Sequence, residues 1–160
     1  MTTAKPEAPT GTEVGEIAPD FELKDSSGQP WRLSAHRGKV VALVFYPRDE
    51  TAVCTKQMCS MRDRWPEYES TGAEVAAISV GSVESHKSFA EHHGLPQRLL
   101  ADQHGEVAWA LSVKSILGGS QRAVIVIDPR GVIRYRKSVL PIFRPSDDEV
   151  IAAIQAAAGD

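Results

Sequence analysis

Seven consecutive residues, Val40 to Tyr46, carry no charged or amide side chain. The run is too short to cross a bilayer, which takes about 20 apolar residues in a helix. It fits a strand buried on both faces, the kind that forms where helices cover a sheet from above and below. Two further segments also read as buried strands, Glu74 to Val80 (E-V-A-A-I-S-V), apolar after its first residue except for Ser79, and Ala123 to Ile127 (A-V-I-V-I). Helical stretches separate them, so the expected architecture is α/β, a central mixed β-sheet flanked by helices on both sides.

The rest of the chain falls into place around these strands. Phe21 to Leu23 and Trp31 to Leu33 flank D-S-S-G-Q-P and read as a short hairpin. A helix is expected from Thr51 to about Glu69, with Pro66 as a kink or early stop. Ser82 reads as the N-cap of a helix that runs to His93 and is stopped by Gly94 and Pro96. A short helix is expected at Glu106 to Leu111. The D-P-R-G turn at Asp128 to Gly131 leads into a last strand from Val132 to Val139. Ser146 and Glu149 have capping-box spacing before an apolar stripe of Val150, Ile151 and Ile154.

At 160 residues the chain reads as one domain, residues 14–160, after a flexible tail at residues 1–13. The net charge of −3 offers no electrostatic reason to expect nucleic acid or an anionic membrane as partner. Arg134, Arg136 and Lys137 read as a solvated strand face. The first residues hold no apolar stretch of the secretory kind, so the expected compartment is the cytoplasm. Structural disulfides are rare there, and a cysteine pair more often does redox, catalytic or metal chemistry.

The chain has two cysteines, Cys54 and Cys59, both just beyond the first buried strand. Cys54 should lie in the first turn of a helix, where unpaired backbone N–H groups and the positive dipole end favour an anion. A thiol attacks well only once ionised. Thr51, three residues earlier, can cap that turn or aim its hydroxyl at the sulfur.

Pro47, Thr51 and Cys54 together have the P-x-x-x-[TS]-x-x-C form of a peroxiredoxin active site, and with Cys59 the segment resembles the Q, or bacterioferritin comigratory protein, subgroup. The likeness extends over nearly the whole chain after the tail. It implies a thioredoxin-like fold and a thiol-dependent peroxidase. Cys54 would attack the peroxide, Cys59 would resolve the product as a disulfide, and thioredoxin or a similar dithiol would recycle it. No cofactor or metal is implied, and the protein would be a monomer or weak homodimer. Arg122, opening R-A-V-I-V-I-D, matches the arginine that pairs with the thiolate and holds the peroxide oxygens; a guanidinium suits this because it stays charged and presents fixed donors. The resemblance places Gln57 inside the pocket as a polar contact, and Pro47 as a shield that limits over-oxidation.

Two departures stand out. The subgroup usually reads T-P-G-C where this chain has Thr51-Ala52-Val53-Cys54, and Ala123 replaces the Ser or Thr that follows the family's arginine. Geometry adds a constraint on the implied disulfide. Residues i and i+5 of an intact helix are roughly 8.7 Å apart at Cα, whereas a disulfide needs less than about 7 Å. The helix must therefore open for Cys54 and Cys59 to join.

Other readings of the same residues predict different chemistry. A buried cysteine can simply be an inert core residue. A zinc set could combine the two cysteines with His86, His92 or His93, but C-x₄-C has no second matching pair, and these histidines read as a solvated helix face. Trp31, Trp65 and Trp109 read as packing residues. A non-enzymatic redox-sensing or interaction module of the same fold would share the disulfide but not turn over.

Overall fold

The computed structural model describes residues 8–116, 118–139 and 145–159; the first seven residues of the expected tail lie outside them. Residues 9–11 lie against Ile17, whose backbone N–H donates to the Pro9 carbonyl and whose carbonyl accepts from Gly11.

The apolar run forms β3 (Val41–Phe45), and its side chains part to opposite faces as a pleated strand requires. Ala42 and Val44, with Tyr46 just past the strand, enter one core, while Val41, Leu43 and Phe45 enter the other. The first face is covered by α1 (Ala52–Asp63), α2 (Trp65–Ser70), α3 (Val83–His93) and α5 (Asp147–Ala158). Met58, Tyr68, Phe89 and Ile154 are among the side chains they bury there. The second face is covered by a 3-10 turn at Leu33–His36 and by α4 (Glu106–Ala110), through Leu33, Val107 and Ala108. Each fully buried side chain of this size contributes about 1.5–3 kcal/mol.

The remaining strands are β1 (Glu22–Asp25), β2 (Pro30–Arg32), β4 (Glu74–Ser79), β5 (Arg98–Ala101), β6 (Arg122–Ile127) and β7 (Ile133–Val139). The sheet order is β2-β1-β5-β4-β3-β6-β7. β3, β4 and β5 run parallel, and every other pairing is antiparallel, so the sheet is mixed as expected.

Helix ends follow the local chemistry. Ser82 Oγ accepts from the Ser85 N–H at the start of α3, and Gly94 closes that helix in the left-handed region (φ 60°). Ser146 Oγ accepts from the Glu149 N–H at the start of α5. The reciprocal half of that capping box is not made, because the Glu149 carboxylate accepts from Tyr135 and Lys137 of β7 instead.

The helical stretch expected to Glu69 stops early, as Pro66 suggested: it is broken at Arg64, because Pro66 has no N–H for the Arg62 carbonyl and sits instead in the first turn of α2. Two other points differ from expectation. β5 was not foreseen: four residues beside Pro96 show no periodicity, and they become a strand only by pairing with β4 and β1. The β7 cations are paired rather than merely solvated. Arg134 donates to Asp128, Arg136 to the carbonyls of Thr12, Leu111 and Ser112, and Lys137 to Glu149.

Candidate active site

Sheet register assembles the site. Phe45 of β3 pairs with Ala123 of β6, so Arg122 comes level with Tyr46, where β3 feeds into the loop before α1. Residue alternation sends Arg122 to the same face as Val124 and Val126, and that is the face on which Cys54 is buried. Tyr46 and Pro47 are held by their carbonyls, which accept from the hydroxyls of Ser120 and Ser79.

Cys54 is the third residue of α1, within the group whose backbone N–H atoms have no intrahelical partner. Its side chain is fully buried, Cys59 is half-buried, and both are free thiols. Arg122 Nη2 donates to Cys54 Sγ at 3.1 Å, and Nη1 donates to Gln57 Oε1 at 2.6 Å. Gln57 lies one turn beyond Cys54 on the same helix face. The guanidinium is itself buried, at 2% exposure, so low polarity strengthens its pull on a thiolate. Cys54, Gln57 and Arg122 are thus brought together as the sequence suggested, with Pro47 half-buried at the loop's start.

Thr51 is placed differently from one expectation. Its backbone occupies the N-cap position, but its exposed side chain donates to the Arg48 carbonyl at 3.2 Å and makes no bond to the first turn. The first turn's N–H groups are left without this side-chain acceptor.

A second polar chain, buried at Tyr46 and His86, supports the loop, and the sequence reading missed it. Tyr46 donates its phenol to Asp49 Oδ1 at 2.6 Å. Asp49 Oδ2 accepts from Ser85 Oγ at 2.6 Å and faces His86 Nδ1 at 2.6 Å. Burial alone would raise the Asp49 carboxyl, but hydrogen bonds from His86, Ser85 and Tyr46 outweigh it and hold it below its ordinary value. Burial, and then the Asp49 charge, push the Tyr46 phenol well above its ordinary value. His86 is fully buried, which corrects the expectation of a solvated helix face. It occupies the inward side of α3 three residues before Phe89, a spacing that could have signalled a core position. Trp109, expected to pack, is 72% exposed, whereas Trp31 is buried.

The zinc set that would join cysteines to histidines does not form. Among the described residues, the ligand atoms that converge belong to Glu50, His92 and His93, without either cysteine.

The AhpC/TSA family model matches residues 14–136, from Val14 to the middle of β7. The chain belongs to the AhpC/TSA family. This AhpC/TSA protein is 44% identical over 123 residues to the chloroplastic peroxiredoxin Q of Triticum aestivum, covering 76% of this chain and 57% of that relative's length. The chain thus spans little more than half the length of that curated relative. Its fold matches the crystal structure of peroxidoxin BcpB from Mycobacterium tuberculosis with a TM-score of 0.80 and 32% identity, covering 91% of this chain and 97% of that one. It also matches the bacterioferritin comigratory protein of Xanthomonas campestris, described for its alkyl peroxide reduction activity, with a TM-score of 0.77 and 26% identity over 86% and 92% of the two chains. The thioredoxin-like fold and the Q-type resemblance both follow from these matches.

Proposed function

We propose that this AhpC/TSA protein is a thiol-dependent peroxidase that reduces hydrogen peroxide and organic hydroperoxides. The observation that carries the reading is Arg122 Nη2 at 3.1 Å from Cys54 Sγ, in the first turn of α1. A cation and a helix N-terminus thus converge on one sulfur, the charge arrangement that nucleophilic thiol chemistry uses. The alkyl peroxide reduction activity named for the Xanthomonas campestris neighbour supports organic hydroperoxides as substrates.

In the first step the Cys54 thiolate attacks one peroxide oxygen. The S–O bond forms, the O–O bond breaks, and the departing oxygen takes up a proton and leaves as alcohol or water. Arg122 stabilises the thiolate and then the charge on the departing oxygen. Gln57 fixes the guanidinium's plane, Thr51 sets the loop at the helix start, and Pro47 limits water's access to the sulfur. In the second step the Cys59 thiolate attacks the Cys54 sulfenic acid, the S–S bond forms, and the hydroxyl leaves with a proton as water. A dithiol such as thioredoxin then restores both thiols by exchange. We place this cycle in the cytoplasm, in a monomer or weak homodimer that needs neither nucleic acid nor membrane.

Steady-state peroxide consumption with a thioredoxin system tests the reading. Many turnovers per protein molecule are expected. Consumption that stops at one equivalent in the presence of excess reductant would identify a redox switch instead.

A further inference from the structure

The loop that enters α1 is held at a second point by a cluster outside the thiol chemistry. Glu50 Oε2 lies 2.9 Å from His92 Nδ1, and Glu50 Oε1 lies 2.7 Å from His93 Nε2. The two rings are 4.2 Å apart, centre to centre, at the end of α3, and Phe89 packs edge-on against His93. One donor atom from each of the three residues lies within 4.8 Å of the others.

We propose that Glu50, His92 and His93 form a binding site for a divalent transition-metal ion of the zinc type. Two imidazoles and a carboxylate are the donors such an ion takes, with water completing the shell. Donors around a tetrahedral zinc ion are about 3.3 Å apart, so the carboxylate needs only a small withdrawal from each ring to admit one. The ion replaces the protons through which the rings now meet the carboxylate. Access is open, because His92 is 67% and Glu50 45% exposed. Glu50 also holds a left-handed backbone (φ 61°), a conformation costly for a residue with a side chain, which directs its carboxylate to α3.

The site has a consequence for the helix. Glu50 immediately precedes Thr51, the N-cap of α1, so an ion at this point ties the helix entrance to α3. Metal binding therefore opposes the opening of the first turns of α1. Its effect on catalysis rests on the peroxidase reading: with metal bound, disulfide formation slows relative to sulfenic acid formation.

The test uses the untagged Cys54→Ser/Cys59→Ser protein, which removes competing thiol ligands, and zinc chloride as probe. Isothermal titration should show one ion per chain, with affinity at least tenfold weaker in the same protein carrying His92→Ala. His92 is exposed enough for that change to leave the fold intact, and circular dichroism checks that it does. Zinc should also slow hydrogen exchange several-fold at residues 51–55, but not in the His92→Ala protein. Absent saturable binding, or equal affinity with and without His92, overturns the site whether or not the protein is a peroxidase. Binding without slower exchange overturns the tie to α1. In the reduced wild-type protein, rapid-quench measurement of disulfide formation reads the catalytic consequence separately. A protein that reduces no peroxide but passes the calorimetric and exchange tests refutes the peroxidase reading alone.

Discussion

His86 Nδ1 lies 2.6 Å from Asp49 Oδ2, and its other ring nitrogen lies 3.0 Å from the Leu100 carbonyl. The ring thus bridges the Asp49 carboxylate to the backbone of β5. The pair fastens the loop before α1 to the first turn of α3.

Breaking that pair from one side should be costly. Asp49→Asn removes the charged acceptor that His86, Ser85 and Tyr46 share, and a loss of about 2 kcal/mol is expected in chemical denaturation. The pH dependence has a definite sign. The folded-state carboxyl is held below its ordinary 3.8, so its stabilisation is complete above that value and is lost as pH falls through the lowered one. The stability gap between wild type and Asp49→Asn should therefore shrink as pH falls below 3.8. A gap that does not change on acidification would place the effect elsewhere.

Arg122 is expected to act on the peroxide step. Arg122→Ala should slow reaction with hydrogen peroxide at least about tenfold, on the order of 1.4 kcal/mol or more of lost transition-state stabilisation. Arg122→Lys should recover only part of the rate, because an ammonium cannot donate in one plane to both Cys54 and Gln57. Stopped-flow kinetics on the reduced proteins make the comparison, and an undiminished rate in Arg122→Ala would remove this role.

The two thiols should fail in different ways. Cys54→Ser should not react rapidly with peroxide at all. Cys59→Ser should consume about one equivalent and stop as a sulfenic acid, which a dimedone adduct detects by mass. Rapid peroxide consumption by Cys54→Ser would exchange the two assignments.

Oxidation should unwind the start of α1 and stop at a defined place. Beyond Cys59 the helix is pinned: Ser60 donates to the buried Asp147 of α5, a carboxylate that also accepts from Tyr68 of α2 at 2.5 Å. Arg62 Nη1 donates to the His93 carbonyl at 2.6 Å. Hydrogen exchange at Val53 to Cys59 should accelerate in the disulfide form, while Met61 and the β3 amides stay protected. Far-UV circular dichroism should lose about one to two helical turns. Unchanged protection across Val53 to Cys59, with the intramolecular bond confirmed by mass, would mean that the bond forms without unwinding.

Much of the molecule is decided by local chemistry, and that part is readable in one dimension. The uninterrupted apolar run to Tyr46 forms a strand buried on both faces because it is short and rich in β-branched and aromatic side chains. Ser82, Gly94, Pro66 and Ser146 set helix ends through a hydroxyl, a free φ or a missing N–H, all properties of the residue itself. Cys54 at the head of α1 belongs to the same class, since the unpaired N–H groups come with the helix start. Tertiary structure alone decided the rest. Only the antiparallel register of β3 and β6 brings Arg122 to a sulfur 68 positions away. Only the packing of α3 on the sheet buries His86 against Asp49 and brings His92 and His93 to Glu50. β5 exists only because β1 and β4 lie on either side of it. Hydrogen bonds and charge pairs act over a few ångströms whatever the separation along the chain, so their partners are chosen by the path of the backbone rather than by neighbouring residues.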